Sequence, residues 1–405
     1  MRGLFRLVDF RRLWTSHVVS TFGDALTALA LLLTAQRLTG STAAVATTAV
    51  AIALPQLLFG LIAGVMVDRW DRRRVMIASD LIRAALVLAF ITIGTASQMW
   101  LLYLIAFAQA TVGTFDNPAR AAVLPQVAGQ ERLLGANSFF QSSGIVAGVL
   151  GTGAAGLIAG LTGTLAPLFV LDALTYTISS LLVVRLGIRG RAEPTMATAE
   201  RGLWRELRAG LRLVVSSPSL RTVMIGAGVV MLGLGAVNVL LVPFIIEDLA
   251  VPETWFGALE AAQVTSMVLA GAVVALAARR IRAGLLLPLG LVGIGMVVAT
   301  MSLATGIWHM IALLFAVGWF VTPTQAAVST LIQSEVPQDS LGRVSSSLGT
   351  VTTTASVVSM ALAGVTAELL GVRTVFVIAG GITLLAAALS YLAQRTTKRV
   401  AAEAG

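Results

Sequence analysis

An all-α membrane protein is the fold class this sequence predicts, with twelve transmembrane helices in two pseudo-symmetric six-helix bundles and both termini cytoplasmic. Three observations carry that reading: the scarcity of charge, the placement of the basic residues, and an internal repeat. The 405 residues are 57% hydrophobic and 12% charged, against about 25% charged in a soluble domain. A helix needs about 20 apolar residues to cross a bilayer. Runs of that kind are expected near 13–36, 43–67, 75–96, 99–117, 135–160 and 164–186. They resume near 221–246, 254–278, 283–304, 307–332, 342–369 and 372–394. The first run is expected to be a span rather than a cleavable signal peptide, because it is too long and follows a basic segment.

The basic residues orient these spans. With both termini inside, 26 of the 28 Arg and Lys residues fall on the inner side, Arg83 among them, and Arg37 and Arg373 fall outside. Such a bias is the positive-inside pattern of a cytoplasmic membrane. The longest outer loop is acidic, with Glu247, Asp248 and Glu253. The repeat then divides the chain. Pro118-Ala-Arg-Ala-Ala-Val123 recurs as Pro323-Thr-Gln-Ala-Ala-Val328, an offset of 205 residues. Gly64 with Arg72-Arg73 recurs as Gly271 with Arg279-Arg280, and Gly135 as Gly342, both offset by 207. Parallel duplicated halves related about the membrane normal fit this spacing. Residues 1–186 are expected as the first bundle, 187–220 as a cytoplasmic linker, and 221–405 as the second bundle with a short tail. In the linker, Leu203, Leu207, Leu211 and Val214 share one helical face interleaved with arginines. Such a helix lies on anionic lipid or stands solvated.

Composition also excludes function classes. There is no Cys, and the two His residues, His17 and His309, are far apart, so no metal site or cofactor is expected. Lys398 is the single lysine and stands between Thr397 and Arg399, which leaves no Gly-Lys-Ser/Thr phosphate loop. Active transport must therefore draw on an ion or solute gradient unless a partner subunit supplies energy. The net charge of +9 is spread over loops as topology signals, so no nucleic-acid partner is expected. A membrane enzyme lacks a nucleophilic thiol, clustered histidines and a paired-carboxylate site.

Gly64-Val-Met-Val-Asp68-Arg69-Trp-Asp71-Arg72-Arg73-Arg74 is the most specific stretch. Its charges cannot sit in hydrocarbon, so they mark a short loop between two spans. The spelling resembles the loop between the second and third helices of major facilitator superfamily transporters, with Asp71 in place of a second Gly. Asp80 and Arg83, Asp116-Asn-Pro-Ala-Arg120, Ala136-Asn-Ser138, Glu206 to Arg221, and Gly342-Arg-Val344 narrow the resemblance. Together they are similar to the third drug:proton antiporter family, which includes macrolide, enterobactin and Tap-like multidrug exporters. The resemblance implies the major facilitator fold, and an inner gate in which Asp68, Arg72 and Arg73 latch one half to the other. Two features depart from drug:proton antiporter patterns. Gln109 is present without the Arg that usually precedes it at 104–108, and Gly148 to Gly156 carries no proline.

Asp24 is the foremost candidate for proton coupling. It lies about 11 residues into the first span, roughly 16 Å from its inner end at 1.5 Å per residue. An ionised carboxylate at that depth costs roughly 2.5–3.5 kcal/mol on insertion scales. His17, Thr21 and Asp24 share a helix face, and the repeat places the apolar Met231 opposite Asp24. The other reading of Asp24 is a structural carboxylate tied to a neighbouring helix. Glu260 is the second coupling candidate. His17, Phe22, Gln109, Asn238, Gln263 and Gln325 are candidates for the substrate cavity, each with helix packing as its alternative. Asp172, with Tyr176 one turn on as its expected partner, reads as structural.

These observations and the resemblance together predict a proton-coupled secondary transporter in a bacterial inner membrane. It would export amphipathic small molecules of the drug, macrolide or siderophore class by alternating access, as a functional monomer among membrane lipids. A proton symporter or uniporter importing a small solute, or a non-transporting membrane binding protein on the same scaffold, are the alternatives.

Overall fold

The computed structural model describes residues 4–187, 218–277, 283–336 and 338–403. The expected linker helix and the Arg279-Arg280 arm of the repeat lie outside the described residues. What is described is all-helical. Eleven of these helices are long and apolar enough to cross a membrane, and Leu286–Met301 is a shorter apolar helix. By packing, the chain divides into two compact units, Met1–Met196 with Pro252–Glu260, and Ala197–Val251 with Ala261–Gly405.

The first unit contains α1 (Val8–Thr39), α2 (Thr42–Arg69), α3 (Arg72–Ala89), α4 (Met99–Ala128), α5 (Leu133–Thr162) and α6 (Ala166–Val184). Short polar signals separate these long rods. Gly40 ends α1 in the left-handed region (φ 58°), donating its N–H to Gln36, and Ser41 then caps α2 by accepting from the Ala44 amide at 3.2 Å. At the charged stretch the break is only Trp70-Asp71. Asp71 caps α3 by accepting from the Arg74 amide at 3.1 Å, which accounts for an acid where the resembling loops carry Gly. The charges of this stretch therefore lie mostly on helix ends, where solvent and headgroups are in reach.

Within this unit α1 packs on α5 and α6, α2 on α4, and α3 on α4 and α6. Small residues let backbones meet. A Cβ at Gly151 of α5 would stand 2.4 Å from the Phe22 carbonyl oxygen of α1, and one at Gly23 would stand 2.0 Å from Thr175 Oγ1 of α6. Phe10, Leu13, Val67, Met76, Val123, Phe140 and Val183 form an apolar core around the N-terminal turns of α1. The fourth helix runs eleven residues beyond its expected end at 117, passing through Pro118 and Pro125 to Ala128. Asp116 and Arg120, which straddle that expected end, are consequently buried on a helix.

The second unit contains α7 (Pro218–Pro243), most of α8 (Phe256–Ala277), α9 (Ala283–Met301), α10 (Ile307–Glu335), α11 (Gln338–Leu370) and α12 (Val372–Glu403). Here α9 packs on α10 and α12, and α7 on α11 and α12. Its crossings again use glycine: a Cβ on Gly380 would meet the Gly295 carbonyl oxygen at 2.6 Å. The buried polar side chains described in this unit are hydroxyls, such as Ser266, Thr324, Ser359 and Thr383. Every buried charged side chain among the described residues (Asp80, Arg83, Asp116, Arg120 and Asp172) belongs to the first unit.

Candidate functional site

The candidate site is a polar seam through the first unit, built on α1, α3, α4 and α6. At its open end stands Asp24 of α1. Its Oδ1 accepts from the Arg83 guanidinium of α3 and from the Tyr176 hydroxyl of α6. The two ends of the ion pair differ in exposure, with 42% of the Asp24 side chain accessible against 10% for Arg83. Arg83 also lies over the Tyr176 ring, its Cζ 4.3 Å from the centroid, a cation–π contact that strengthens away from water. Gln109 of α4 donates its Nε2–H to the Tyr176 oxygen at 3.3 Å. Tyr176 has one hydroxyl proton, so accepting from Gln109 directs that proton onto Asp24. Gly113, one turn along α4 from Gln109, leaves room for Arg83, whose Nε would stand 3.4 Å from an added Cβ. The guanidinium absent from 104–108 is thus supplied beside Gln109 by α3.

Asp172 does not pair with Tyr176 as the one-turn spacing suggests. It is fully buried, accepting on Oδ2 from Thr27 at 2.5 Å and on Oδ1 from Thr175 at 3.0 Å. Tyr176 turns instead to Asp24, the carboxylate that also holds Arg83. Deeper along α3 and α4, Arg120 donates through Nε to Asp116 at 2.5 Å, and through its two terminal nitrogens to Ser16 at 2.7 Å and Ser179 at 3.1 Å. Ser179 passes its own proton to Asp80 Oδ2 at 2.6 Å.

The structure brings Asp24 and Gln109 together through Tyr176. His17 lies on the same α1 face but stacks on Phe140, with centroids 5.1 Å apart at 18°. Phe22 is half-buried where α1 meets Gly151. Glu260, on α8 but within the first unit, takes a hydrogen bond from Thr152. Asn238 and Gln325 are exposed and Gln263 half-buried, all three in the second unit. Of the expected gate, Arg73 donates to the Val184 carbonyl at the end of α6, a favourable place for a cation. Arg72 opens α3, and the side chain of Asp68 lies outside the described residues. Arg83, Arg120 and Tyr176 are the members that sequence reasoning missed as site residues. The readable signals are i,i+3 Asp80–Arg83 and i,i+4 Asp116–Arg120, acid and base on one face inside an apolar run.

The pair thus joins a half-open carboxylate to an enclosed guanidinium within candidate membrane spans. Two solved structures match nearly the whole chain. One is a bacterial homolog of the human lysosomal transporter Spinster in an inward-facing conformation (TM-score 0.76, 15% identity, covering 96% of both chains). The other is the nucleoside transporter NupG (TM-score 0.78, 14% identity, covering 96% of this chain and 99% of that one). The chain belongs to the major facilitator family described as transmembrane secretion effector, which matches residues 4–404. Its members are transporters rather than enzymes. Macrolide efflux protein A of Streptococcus pyogenes is 28% identical over 178 residues, 44% of each chain. The multidrug efflux pump Tap of Mycolicibacterium fortuitum is 31% identical over 193 residues, 46% of this chain and 47% of that one. The chain thus spans about half the length of the curated relatives it matches.

Proposed function

We propose that this protein is a proton-coupled secondary transporter of a bacterial inner membrane that exports amphipathic small molecules of the drug, macrolide or siderophore class. Twelve spans, cytoplasmic termini, a linker at 187–220 and a monomeric unit among membrane lipids complete the reading. Alternating access would carry substrate, with Asp68, Arg72 and Arg73 as the inner gate. The observation that carries the coupling is the half-open Asp24 carboxylate held by Arg83 and Tyr176 within candidate spans. A proton on Asp24 cancels its charge, loosens Arg83 and leaves Tyr176 to turn its hydroxyl elsewhere. A cationic or hydrogen-bonding substrate meets the same carboxylate once the proton has left, so proton and substrate alternate on one group. Glu260 is the second acid in this scheme. His17, Phe22, Gln109, Asn238, Gln263 and Gln325 are assigned to the substrate path. The efflux relatives support export as the direction.

The test is a proteoliposome assay with an acidic interior and an internal pH dye, challenged with macrolides, siderophores, cationic dyes and lysolipids. Substrate-triggered proton efflux that disappears in Asp24→Asn is the expected result. Efflux retained in that variant moves coupling to Glu260. Proton flux of the opposite sign indicates symport, and substrate movement without protons indicates a uniporter.

A further inference from the structure

We propose that Asp80, Arg120 and Asp116 form a second proton-binding site, separate from Asp24, that holds one exchangeable proton between two carboxylates and one guanidinium. Its use in transport rests on the proton-coupled reading above; its existence does not.

The argument begins with charge. Asp80 is 0% exposed, Arg120 4% and Asp116 6%, so none of the three is solvated. Arg120 satisfies Asp116 through Nε, at 2.5 Å, and reaches Asp80 Oδ1 only as a charge, 3.6 Å away. A single buried guanidinium neutralises one carboxylate; a second ionised carboxylate in the same dry space carries a large desolvation penalty. The hydrogen bonds show the same deficit. Asp80 Oδ2 takes the Ser179 proton, and Asp116 Oδ2 takes the Arg120 Nε–H. The remaining oxygens, Asp80 Oδ1 and Asp116 Oδ1, are both buried without a hydrogen-bond partner. Unmet buried acceptors of this kind are rare. Protonating either carboxylate removes the excess charge and one of the two empty acceptors at once.

The surroundings do not provide the missing charge. Arg83 of α3 is within electrostatic reach of Asp80 and Asp116 but is committed to Asp24. From α1, Ser16 accepts from Arg120, and His17 lies within electrostatic reach of Arg120 and Asp116. From α6 come the Ser179 hydroxyl and, nearer Arg83, Tyr176 and Asp172. Across the seam, Asp24, Asp80, Asp116 and Asp172 face Arg83 and Arg120, an excess of two carboxylates. Asp24 is half-open to solvent, whereas each Asp172 carboxylate oxygen has a threonine hydroxyl in reach, that of Thr175 shared with the Asp172 backbone carbonyl. The cluster with two empty oxygens is therefore where the proton belongs.

Proton binding without transport decides the matter. The full-length protein in lipid nanodiscs is titrated while infrared difference spectra report the carbonyl stretch of protonated carboxyls, with deuterium exchange to confirm the band. In an Asp24→Asn/Glu260→Gln background, where neither coupling acid contributes, a protonated-carboxyl band is expected, and it is lost when either Asp80→Asn or Asp116→Asn is added, since either leaves one carboxylate per guanidinium. Each of those two variants suffices alone, so a folding failure in one leaves the other to decide. Absence of the band in that background overturns the site, as does its survival when Asp80→Asn or Asp116→Asn is added. Its loss in Asp172→Asn alone places the proton at Asp172 and equally overturns the site. Band results as expected, with no substrate-driven proton flux in vesicles, would reject the exporter reading while the site stands.

Discussion

Arg83 of α3 reaches Asp24 of α1, 59 residues away in sequence, and the carboxylate of the pair stands open while the guanidinium is enclosed. The pair is thus accessible from the acid side. Removing its partners is not symmetrical. Arg83→Met leaves four carboxylates to Arg120 alone, whereas Asp24→Asn leaves Arg83 with Asp116 and Asp172 still in electrostatic reach. Arg83→Met is expected to lower stability by about 3–5 kcal/mol, the usual cost of orphaning buried charge, and Asp24→Asn by less. Thermal unfolding in detergent checks the order; equal effects would show that Arg83 answers to Asp24 alone.

Tyr176 has two separable parts. Its hydroxyl links Gln109 to Asp24, and its ring supports Arg83. Tyr176→Phe keeps the ring and is expected to cost about 0.5–1.5 kcal/mol, the net worth of a hydrogen bond. Its effect on substrate-driven proton flux should exceed its effect on melting temperature. If flux is untouched, the hydroxyl orients nothing that matters to coupling.

Gly23 is the closest crossing of α1 and α6. An alanine methyl there would stand 2.0 Å from Thr175 Oγ1 and 2.1 Å from Asp172 Oδ1. Gly23→Ala must displace the hydrogen bonds of Asp172, at about 1–3 kcal/mol for overpacking. Gly148→Ala, with nothing within 4 Å of the added methyl, is the control and should be near neutral. A Gly23→Ala protein as stable as that control would mean α1 and α6 can separate there without loss.

Arg37 grips the connector before α8. It holds both Glu253 oxygens, at 2.8 and 2.5 Å, and donates to the Gly163 and Ala159 carbonyls at 2.9 and 3.3 Å. Lysine cannot reproduce that fork. Arg37→Lys is expected to cost about 1 kcal/mol, the upper end for a partly exposed pair, and to speed amide hydrogen exchange at Val251–Trp255. Unchanged exchange would assign the tethering to the glycine contacts of α5 instead, where Gly156 meets the Glu253 carbonyl.

Much of this architecture is legible in the chain because membrane helices announce themselves by length and hydropathy. Asp24 is legible too, as an acid deep in an apolar run. Arg83 is not, because a charge count scores it by sign and assigns it to the inner side. Its partner lies two helices earlier, and no local pattern joins them. The end of α4 is misread for a related reason. Asp116, Pro118, Arg120 and Pro125 together look like a helix stop, yet acid and base one turn apart neutralise each other and the helix continues. Asp172 is misassigned to Tyr176 because spacing along one helix says nothing of Thr27 on another.

Among the described residues buried charge is confined to the first unit, and this has a consequence for how the chain is made. Arg83 emerges on α3 after Asp24 on α1 is in place, and Arg120 on α4 after Asp80 on α3 and Ser16 on α1. Asp172 on α6 likewise follows Thr27 on α1. Asp24 on α1 and Asp80 on α3 enter the bilayer ahead of the guanidinium that each meets, on otherwise apolar spans. Synthesis from the amino terminus therefore delivers each buried guanidinium to a waiting carboxylate. The order of the helices along the chain serves as an assembly schedule, one that moving α1 to the end of the polypeptide would undo.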